Sequence, residues 1–169
     1  SANRSTALGY YALAANTTGD DNIAIGAHCL DANTTGGYNV AMGSHALGKS
    51  NGGQNVAIGY YALEENTTGN YNVAVGSEAL TNNTTADDNT ALGYKALYTN
   101  STGTDNTAVG KSALYSNTTA NNNVAVGENA LYNNTTGYYN TCVGANVSQA
   151  NTTGQQNVAM GSGALFTNS

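Results

Sequence analysis

Hydrophobic and polar positions along this chain follow one pattern that repeats ten times. One copy begins at Asn72, continues with the apolar run Val73-Ala74-Val75 and Gly76, adds the apolar pair Ala79-Leu80, and ends in the polar run Asn83-Thr84-Thr85. A fixed period this short, carried through the whole length, predicts a solenoid or fibre and not an ordinary globular domain. The glycine after the first apolar run recurs every 17 residues, with one step of 16, at Gly9, Gly26, Gly43, Gly59, Gly76, Gly93, Gly110, Gly127, Gly144 and Gly161.

The apolar run before each glycine predicts a short β-strand, because β-branched residues dominate it and the unit is too short for a helix and its return. A second short strand is predicted around Ala12-Leu13 and the equivalent pairs, followed by a turn at Asn16-Thr17-Thr18-Gly19 and its equivalents. The predicted fold is therefore all-β, a parallel β-solenoid (β-roll) of ten 17-residue coils. Residues 1–169 form a single repeat array that is in phase at both ends.

Both faces of the predicted strand are apolar, which suggests an oligomer. In Val73-Ala74-Val75 the two valines share one face and Ala74 takes the other, since neighbouring side chains of a strand point to opposite sides. A 17-residue coil is too thin to provide two interiors. We expect the face with the small alanines to pack against another chain, most simply in a homotrimer. The in-phase ends also suggest head-to-tail stacking of identical copies.

An asparagine stands four residues before the glycine in nine of the ten units, and Ser5 takes this place in the first. In stacked coils these amides are expected to lie one above another and to bond to the coils above and below. We favour this structural ladder over a ligand site. Its members are Asn22, Asn39, Asn55, Asn72, Asn89, Asn106, Asn123, Asn140 and Asn157.

The charge and hydropathy of the chain argue against two classes of partner. The net charge is −6, with Arg4, Lys49, Lys95 and Lys111 as the only Lys and Arg residues, whereas nucleic-acid binding depends on clustered Lys and Arg. No apolar run approaches the roughly 18 residues of a membrane helix, and no signal-like segment opens the sequence. We expect no nucleic-acid partner and no membrane insertion in this segment.

Two units depart from the pattern, and two cysteines replace alanines. The third unit lacks one residue within its turn, in the range 48–54, where a solenoid tolerates a change of length. In the ninth unit Ser148 replaces the leucine, which predicts a local loosening of the core. Cys29 and Cys142 lie seven units apart, roughly 33 Å, so we expect two small buried thiols and no disulfide between them.

The sequence offers no combination of nucleophile, base and orienting group, so we predict that the chain is not an enzyme and assign no catalytic, cofactor-binding or metal-ligating residue. His28 and His45 occupy the same position of consecutive units, with an expected separation of about 5 Å. A metal pair is one interpretation of the two histidines, and two unrelated exposed residues is the simpler one. Acidic pairs such as Glu64-Glu65 fall in turns, without the neighbouring acids and base that a Ca²⁺-dependent lyase would need.

Aromatic residues recur at one position of the unit. Stacked rings there would form either a platform for sugars or a ladder that only stabilises the stack, and we favour the ladder. The aromatic face consists of Tyr98, Tyr115, Tyr132 and Phe166.

The Asn-Thr-Thr turns contain a row of acceptor sequences for N-glycosylation at a turn expected to be exposed. The alternative, which we favour, is that Asn and Thr form the turn by bonding their own backbone. The candidate acceptors are Asn16, Asn33, Asn66, Asn83, Asn100, Asn117, Asn134 and Asn151.

The repeated Asn-x-Ala-x-Gly strands, as in residues 55–59, resemble the head repeats of trimeric autotransporter adhesins. The full unit, as in residues 72–85, is similar to the repeats of phage-type tail-fibre proteins and related bacterial surface proteins. The resemblance covers all ten units, although the coil is longer than in the adhesin heads. It implies a left-handed parallel β-roll, three chains packed side by side, and an extracellular location on a cell surface or in a virion fibre.

Two functions follow as hypotheses. The first is a structural fibre or stalk that forms an extended extracellular filament or surface appendage. The alternative is an adhesin or tail-fibre receptor-binding module that recognises surface glycans. The stalk is favoured because departures from the repeat are scattered and not clustered. A third idea, ice binding by flat rows of threonine, is disfavoured because most threonines fall in turns.

Overall fold

The computed structural model describes residues 4–166, and within them it contains a parallel β-solenoid and no helix. The expected all-β solenoid with a repeat of about 17 residues is confirmed. We number each coil after the strand with which it begins, so that coil 5 comprises residues 73–89. The two ends at which head-to-tail stacking is expected, residues 1–3 and 167–169, lie outside the described residues. One sheet contains, in chain order, β1 (Thr6–Leu8), β2 (Ile23–Ile25), β3 (Val40–Met42), β4 (Val56–Ile58), β5 (Val73–Val75), β6 (Thr90–Leu92), β7 (Thr107–Val109), β8 (Val124–Val126), β9 (Thr141–Val143) and β10 (Val158–Met160).

The strands pair in parallel with no slip, so equivalent residues of successive coils lie side by side. Ala74 in β5 pairs with Ala57 in β4 and with Ala91 in β6. Register is maintained even across the 16-residue step, where Val40 pairs with Val56. The missing residue is therefore absorbed by the turn of coil 3, as predicted.

The central alanine of each strand faces the interior of its own coil, so the prediction that this row meets another chain is wrong. Ala74 is completely buried within a single chain, as are the equivalent alanines of β2 to β8. The interior is filled from the opposite wall by the Ala79-Leu80 pair and its equivalents, which are also fully buried in coils 2 to 8. A coil of this size has one interior, and the small alanine leaves room in it for the larger leucine.

The flanking residues of each strand point outward. Val73 and Val75 are half-buried, and Ile58 and Leu92 are exposed. The second apolar face of each strand therefore lies on the outer surface of the solenoid.

The second strand predicted around Ala12-Leu13 does not form, and the equivalent segments are turns. The leucine of each coil has a left-handed backbone, with φ of 51° at Leu80, and so does the residue two positions before it, Glu78 at 58°. Alternating left-handed residues turn the chain instead of extending it, and Asn83 N–H donates to the Leu80 carbonyl at 3.1 Å. Left-handed conformation typically costs about 1–2 kcal/mol for a residue with a side chain. Packing of the leucines and bonds between coils offset this cost: Leu80 N–H donates to the Ala96 carbonyl of the next coil at 3.0 Å.

The glycine after each of the strands β1 to β9 is required both by its backbone angle and by the closeness of the next coil. Gly76 has φ of 134°, and a Cβ atom at this position would lie 2.6 Å from the carbonyl oxygen of Gly93. The glycine therefore both allows this backbone angle and avoids a clash with the next coil. No other residue fits between coils at this spacing without a shift of backbone.

Coil 9 accommodates its missing leucine by redistributing volume. Ser148 is buried, and the Sγ atom of Cys142 lies 3.3 Å from its hydroxyl oxygen. Cys142 and Val147 are both larger than the alanines they replace, which offsets the loss of the leucine. The ladder between coils continues here, since Ser148 N–H donates to the Ala164 carbonyl at 2.8 Å. The local loosening of the core expected near Ser148 therefore does not extend to the backbone bond between the coils.

Both cysteines are free and buried, as expected. The Cys29 thiol donates to the Ala41 carbonyl at 3.2 Å, and burial raises its pKa to about 11. Burial also raises the pKa of Cys142. Neither thiol is in the ionised form that reacts with electrophiles or metals near neutral pH.

Candidate functional site

The asparagines that precede the strands lie one above another inside the solenoid. Asn89 illustrates the bonding: its side-chain oxygen accepts from the backbone N–H of Asn106 at 3.0 Å, and its amide donates to the Gly103 carbonyl at 2.9 Å. The Asn89 backbone N–H donates in turn to the Asn72 side chain at 3.0 Å. The same arrangement extends from Asn22 to Asn157, and every member up to Asn140 is buried. These amides hold neighbouring coils together and have no surface on which a ligand could bind.

The asparagines of the Asn-Thr-Thr row are also inside, so the expectation that they lie exposed at the turn is wrong. Asn83 is completely buried, and its amide nitrogen donates to the Ala86 carbonyl at 3.0 Å and to the Asn66 side chain at 3.0 Å. Asn33, Asn66, Asn100, Asn117, Asn134 and Asn151 are buried in the same way, and Asn16 is half-buried. The nitrogen that would carry a sugar is therefore occupied by hydrogen bonds in the folded chain. The threonines of this turn are the residues that reach the surface.

The outer face of the ten-stranded sheet is an uninterrupted surface of aliphatic and threonine side chains. Its twenty strand residues include four threonines, Thr6, Thr90, Thr107 and Thr141, and no charged residue. With strands about 4.8 Å apart, this outer strand face is roughly 43 Å long and about 10 Å wide. An apolar patch of this extent matches the largest patch on a typical monomer, and such patches often serve in binding.

Two columns of aromatic rings run along the turns that follow the strands. The first column stacks Tyr11, His28, His45 and Tyr61 in coils 1 to 4, with ring centroids 5.6, 5.0 and 4.8 Å apart. The two histidines thus lie at the distance expected for neighbouring coils. His28 Nδ1 lies 2.9 Å from the Asp31 carboxylate, and the described residues contain no group of three His, Cys, Asp or Glu that could hold a metal ion.

The second column stacks Tyr98, Tyr115 and Tyr132 in coils 6 to 8, with centroids 5.2 and 4.9 Å apart and nearly parallel rings. Phe166 occupies the same position two coils further on, and Gln149 stands between it and Tyr132. The predicted aromatic face is therefore a stack of three rings, with Phe166 separate from it. All three tyrosines are half-buried, which leaves part of each ring accessible.

A groove of about 430 Å³ lies between these two columns, in coils 4 to 6. It is lined by three aromatic rings, three carboxylates and two smaller polar residues, namely Tyr60, Tyr61, Tyr98, Glu64, Glu65, Glu78, Thr81 and Asn82. Thr81 is buried and its hydroxyl donates to the Tyr61 carbonyl at 2.9 Å. Asn82 donates to the Tyr98 carbonyl at 2.9 Å. These bonds connect coil 5 to the coils on either side.

Lysines on both sides pair with two of the three groove carboxylates. Lys49 Nζ lies 2.5 Å from Glu65, and Lys95 Nζ lies 3.4 Å from Glu78. Glu64 forms no ion pair with any residue in the range 4–166. Burial, and then the charge of Glu65, raise the pKa of Glu64 above its ordinary value.

No family model matches the chain, and no match was found among the curated proteins or the solved structures with which it was compared. The likeness to adhesin heads and tail-fibre repeats therefore rests on the repeat residues alone. Over residues 4–166, no helix has the length and apolar character needed to cross a bilayer.

Sequence reasoning missed the groove, although one signal for it was present. The turn residues of coils 4 to 6 change chemical type at two positions at once, from Tyr61 to Glu78 and from Thr81 to Tyr98. Departures that appear scattered along the sequence are adjacent in space, because positions 17 residues apart lie in neighbouring coils. A comparison of units position by position would have found this cluster.

Proposed function

We propose that the chain is a structural rod, a segment of an extracellular fibre or stalk on a cell surface or virion, that assembles with copies of itself through the outer strand face. The observation that carries this proposal is the charge-free apolar surface along all ten strands, on a chain whose interior is complete without a partner. Because the apolar surface repeats at the spacing of the coils, another copy of the same solenoid matches every row of it. A globular partner would match only a few.

The strand residues alone are too small an area for a stable interface, so our proposal includes the row of residues beside them. The strand residues alone offer a footprint of roughly 430 Å², whereas a stable interface takes about 800 Å² on each partner. The row beside the strands adds to this area: it includes Tyr38, Tyr71 and Tyr139, which are 62%, 53% and 55% exposed, and it also carries Asp21, Asp88 and Asp105. We propose three chains around a common axis, as the resemblance implies, with the flanking tyrosines covering the seams.

Sedimentation of the purified chain tests this assembly. We expect a mass of three chains of 17.1 kDa each, and rods in electron micrographs. Val75→Glu and Val109→Glu place charges on the outer strand face and should give monomers with an unchanged circular dichroism spectrum. The control Thr119→Glu lies on an exposed turn and should assemble normally. A wild-type mass of one chain at every concentration would overturn the proposal.

A second candidate function is recognition of surface glycans, as in a receptor-binding module. The observation that favours it is the half-buried stack of Tyr98, Tyr115 and Tyr132, since parallel rings at the surface suit the apolar faces of sugars. Binding to an array of glycans tests this idea. Tyr115→Ala should abolish glycan binding and leave the rod assembled, whereas binding that survives in Tyr115→Ala would exclude the stack as the site.

A further inference from the structure

The groove in coils 4 to 6 exists because both aromatic columns end there. Tyr61 is the last ring of the first column, and the next coil has Glu78 in its place. Tyr98 is the first ring of the second column, and the preceding coil has Thr81 in its place. Coil 5 therefore lacks a ring at both positions, and the terminal ring of each column has no aromatic neighbour on the side of the gap.

The rings around the gap are arranged at different angles. Tyr60 and Tyr61 lie perpendicular to each other, at an interplanar angle of 87° and a centroid distance of 4.2 Å. Tyr98 adds a third ring on the other side of coil 5. Several ring faces around one small volume form the type of lining that attracts a cation, because each face carries the negative end of the ring quadrupole.

The charges of the lining select a positive ligand. Three carboxylates line the groove, and two of them are already paired with Lys49 and Lys95. Glu64 lacks such a partner among the described residues and is half-buried, so its charge is not fully solvated. A ligand with one positive charge would supply the missing counter-charge, whereas an anionic ligand would meet repulsion.

The protein itself already places an ammonium group at the edge of the groove. Lys95 Nζ lies 5.0 Å from the ring centre of Tyr98 and 5.3 Å from that of Tyr94. These distances are within the range of cation–π attraction. The chemistry needed to hold a second cation beside Tyr61 is therefore present in the same turn segments.

We propose that this groove binds an organic cation, an ammonium or guanidinium group, with Tyr60, Tyr61 and Tyr98 supplying ring faces and Glu64 the counter-charge. The cation is either a free small molecule or the end of a Lys or Arg side chain on a partner protein. Both sources share the same chemistry. The site does not depend on assembly through the outer strand face, which lies on the strands and not on these turns.

A titration followed by NMR of labelled tyrosine rings tests the proposal on the full chain. The probes are choline, its neutral analogue with carbon in place of nitrogen, and blocked lysine and arginine, all at constant ionic strength. We expect choline to shift the Tyr60, Tyr61 and Tyr98 signals with a dissociation constant of about 1 mM, as suits so small a ligand. The neutral analogue should bind about tenfold more weakly. Tighter binding of blocked lysine or arginine than of choline would identify a protein partner as the source.

Three variants locate the site. Glu64→Gln keeps the shape of the side chain and should weaken choline binding about five- to tenfold. The matched control is Glu128→Gln. Glu128 is exposed, lies in coil 8 and pairs with Lys111, so this variant should leave choline binding unchanged. Lys95→Met removes the resident ammonium and should tighten binding severalfold. Circular dichroism and thermal melting confirm that each variant is folded.

Several results would overturn the proposal. Equal affinity for choline and its neutral analogue would show that charge is not recognised. Signal shifts outside coils 4 to 6, or unchanged affinity in Glu64→Gln, would place the cation elsewhere. Binding of a neutral hexose in the groove without binding of any cation would assign it to sugars instead.

Discussion

Removing one amide from the Asn ladder is the sharpest test of what holds the coils together. In Asn89→Ala the neighbouring strand backbone is unchanged, but the Asn106 N–H loses its partner, and the Gly103 carbonyl keeps only its bond from the Asn100 amide. The Asp87 carbonyl also loses a bond of 3.0 Å. Asn89 and Asn106 are completely buried, so water cannot replace these bonds without opening the coil.

The expected loss follows from counting the group left without a partner and the bonds removed. A buried donor without a hydrogen bond costs about 1–3 kcal/mol, and the bonds lost by the Gly103 and Asp87 carbonyls contribute about 0.5–1.5 kcal/mol each, so we expect a loss of roughly 2–6 kcal/mol in the free energy of unfolding. This is a large part of the roughly 5–15 kcal/mol that stabilises an ordinary domain. Because each coil contacts chiefly its neighbours, the damage should be concentrated in coils 4 to 6.

Urea unfolding followed by circular dichroism measures the loss, and hydrogen exchange locates it. The control Asn133→Ala removes the same amide from an exposed turn and should change stability by less than about 0.5 kcal/mol. Equal effects of Asn89→Ala and Asn133→Ala would refute the reasoning. Uniform exchange along the array in Asn89→Ala would refute the local character of the ladder.

Two further predictions concern the glycine corner and the buried thiols. Gly76→Ala should destabilise the chain by roughly 2–5 kcal/mol, because its Cβ would collide with Gly93. In the control Gly163→Ala the new Cβ meets no atom within 4 Å, so the loss should be only about 1 kcal/mol. Equal losses of the two variants in urea unfolding would contradict the steric argument. The Cys29 thiol, with its pKa raised from 9.0 to about 11, should stabilise the fold fully below pH 9 and lose this contribution as the pH rises towards 11, because the unfolded chain releases the proton first. Melting temperatures measured across this range should fall less in Cys29→Ala than in the wild type, and thiol reagents at pH 8 should label the wild type only after denaturation.

The strands and their register could be predicted because both follow from the period. Residues 17 apart in sequence must lie side by side in a stack of 17-residue coils, and β-branched residues mark the strand within each coil. Even the irregular step between Val40 and Val56 was predictable, since a missing residue is tolerated in a turn and not in a paired strand.

The conformation around Leu80 could not be predicted from the same pattern. An Ala-Leu pair in a short repeat suggests a strand, and leucine gives no sign of a left-handed backbone, which it rarely adopts. The conformation results from stacking, because it lets the Leu80 N–H reach the Ala96 carbonyl while the side chain stays inside. Tertiary contacts decide here against local preference.

The orientation of the Asn-Thr-Thr turn was predicted wrongly for a related reason. Asn is common in exposed turns, so Asn83 seemed to belong outside. The repeat contained a contrary signal: the Asn is kept in every unit but the third, where Ser50 replaces it, while the residue beside it varies between Thr, Ser and Asn. Ser50 occupies the interior too and accepts from the Asn66 amide at 3.0 Å. A position that tolerates only small hydrogen-bonding residues is typical of a buried ladder.

The same contrast between uniform and variable positions indicates where recognition can arise in such a rod. The buried alanine, leucine and asparagine rows are nearly uniform because any change there is felt by the coils on both sides. Outward turn positions carry no such restriction, as the column that runs from Tyr61 through Glu78 to Lys95 shows. A substitution at such a position changes one side chain of a surface column and leaves the stack of coils intact. Glu78 and Thr81, both in coil 5, are enough to end the two ring columns and open a charged groove. The site is therefore built from turn residues that the fold leaves free to differ.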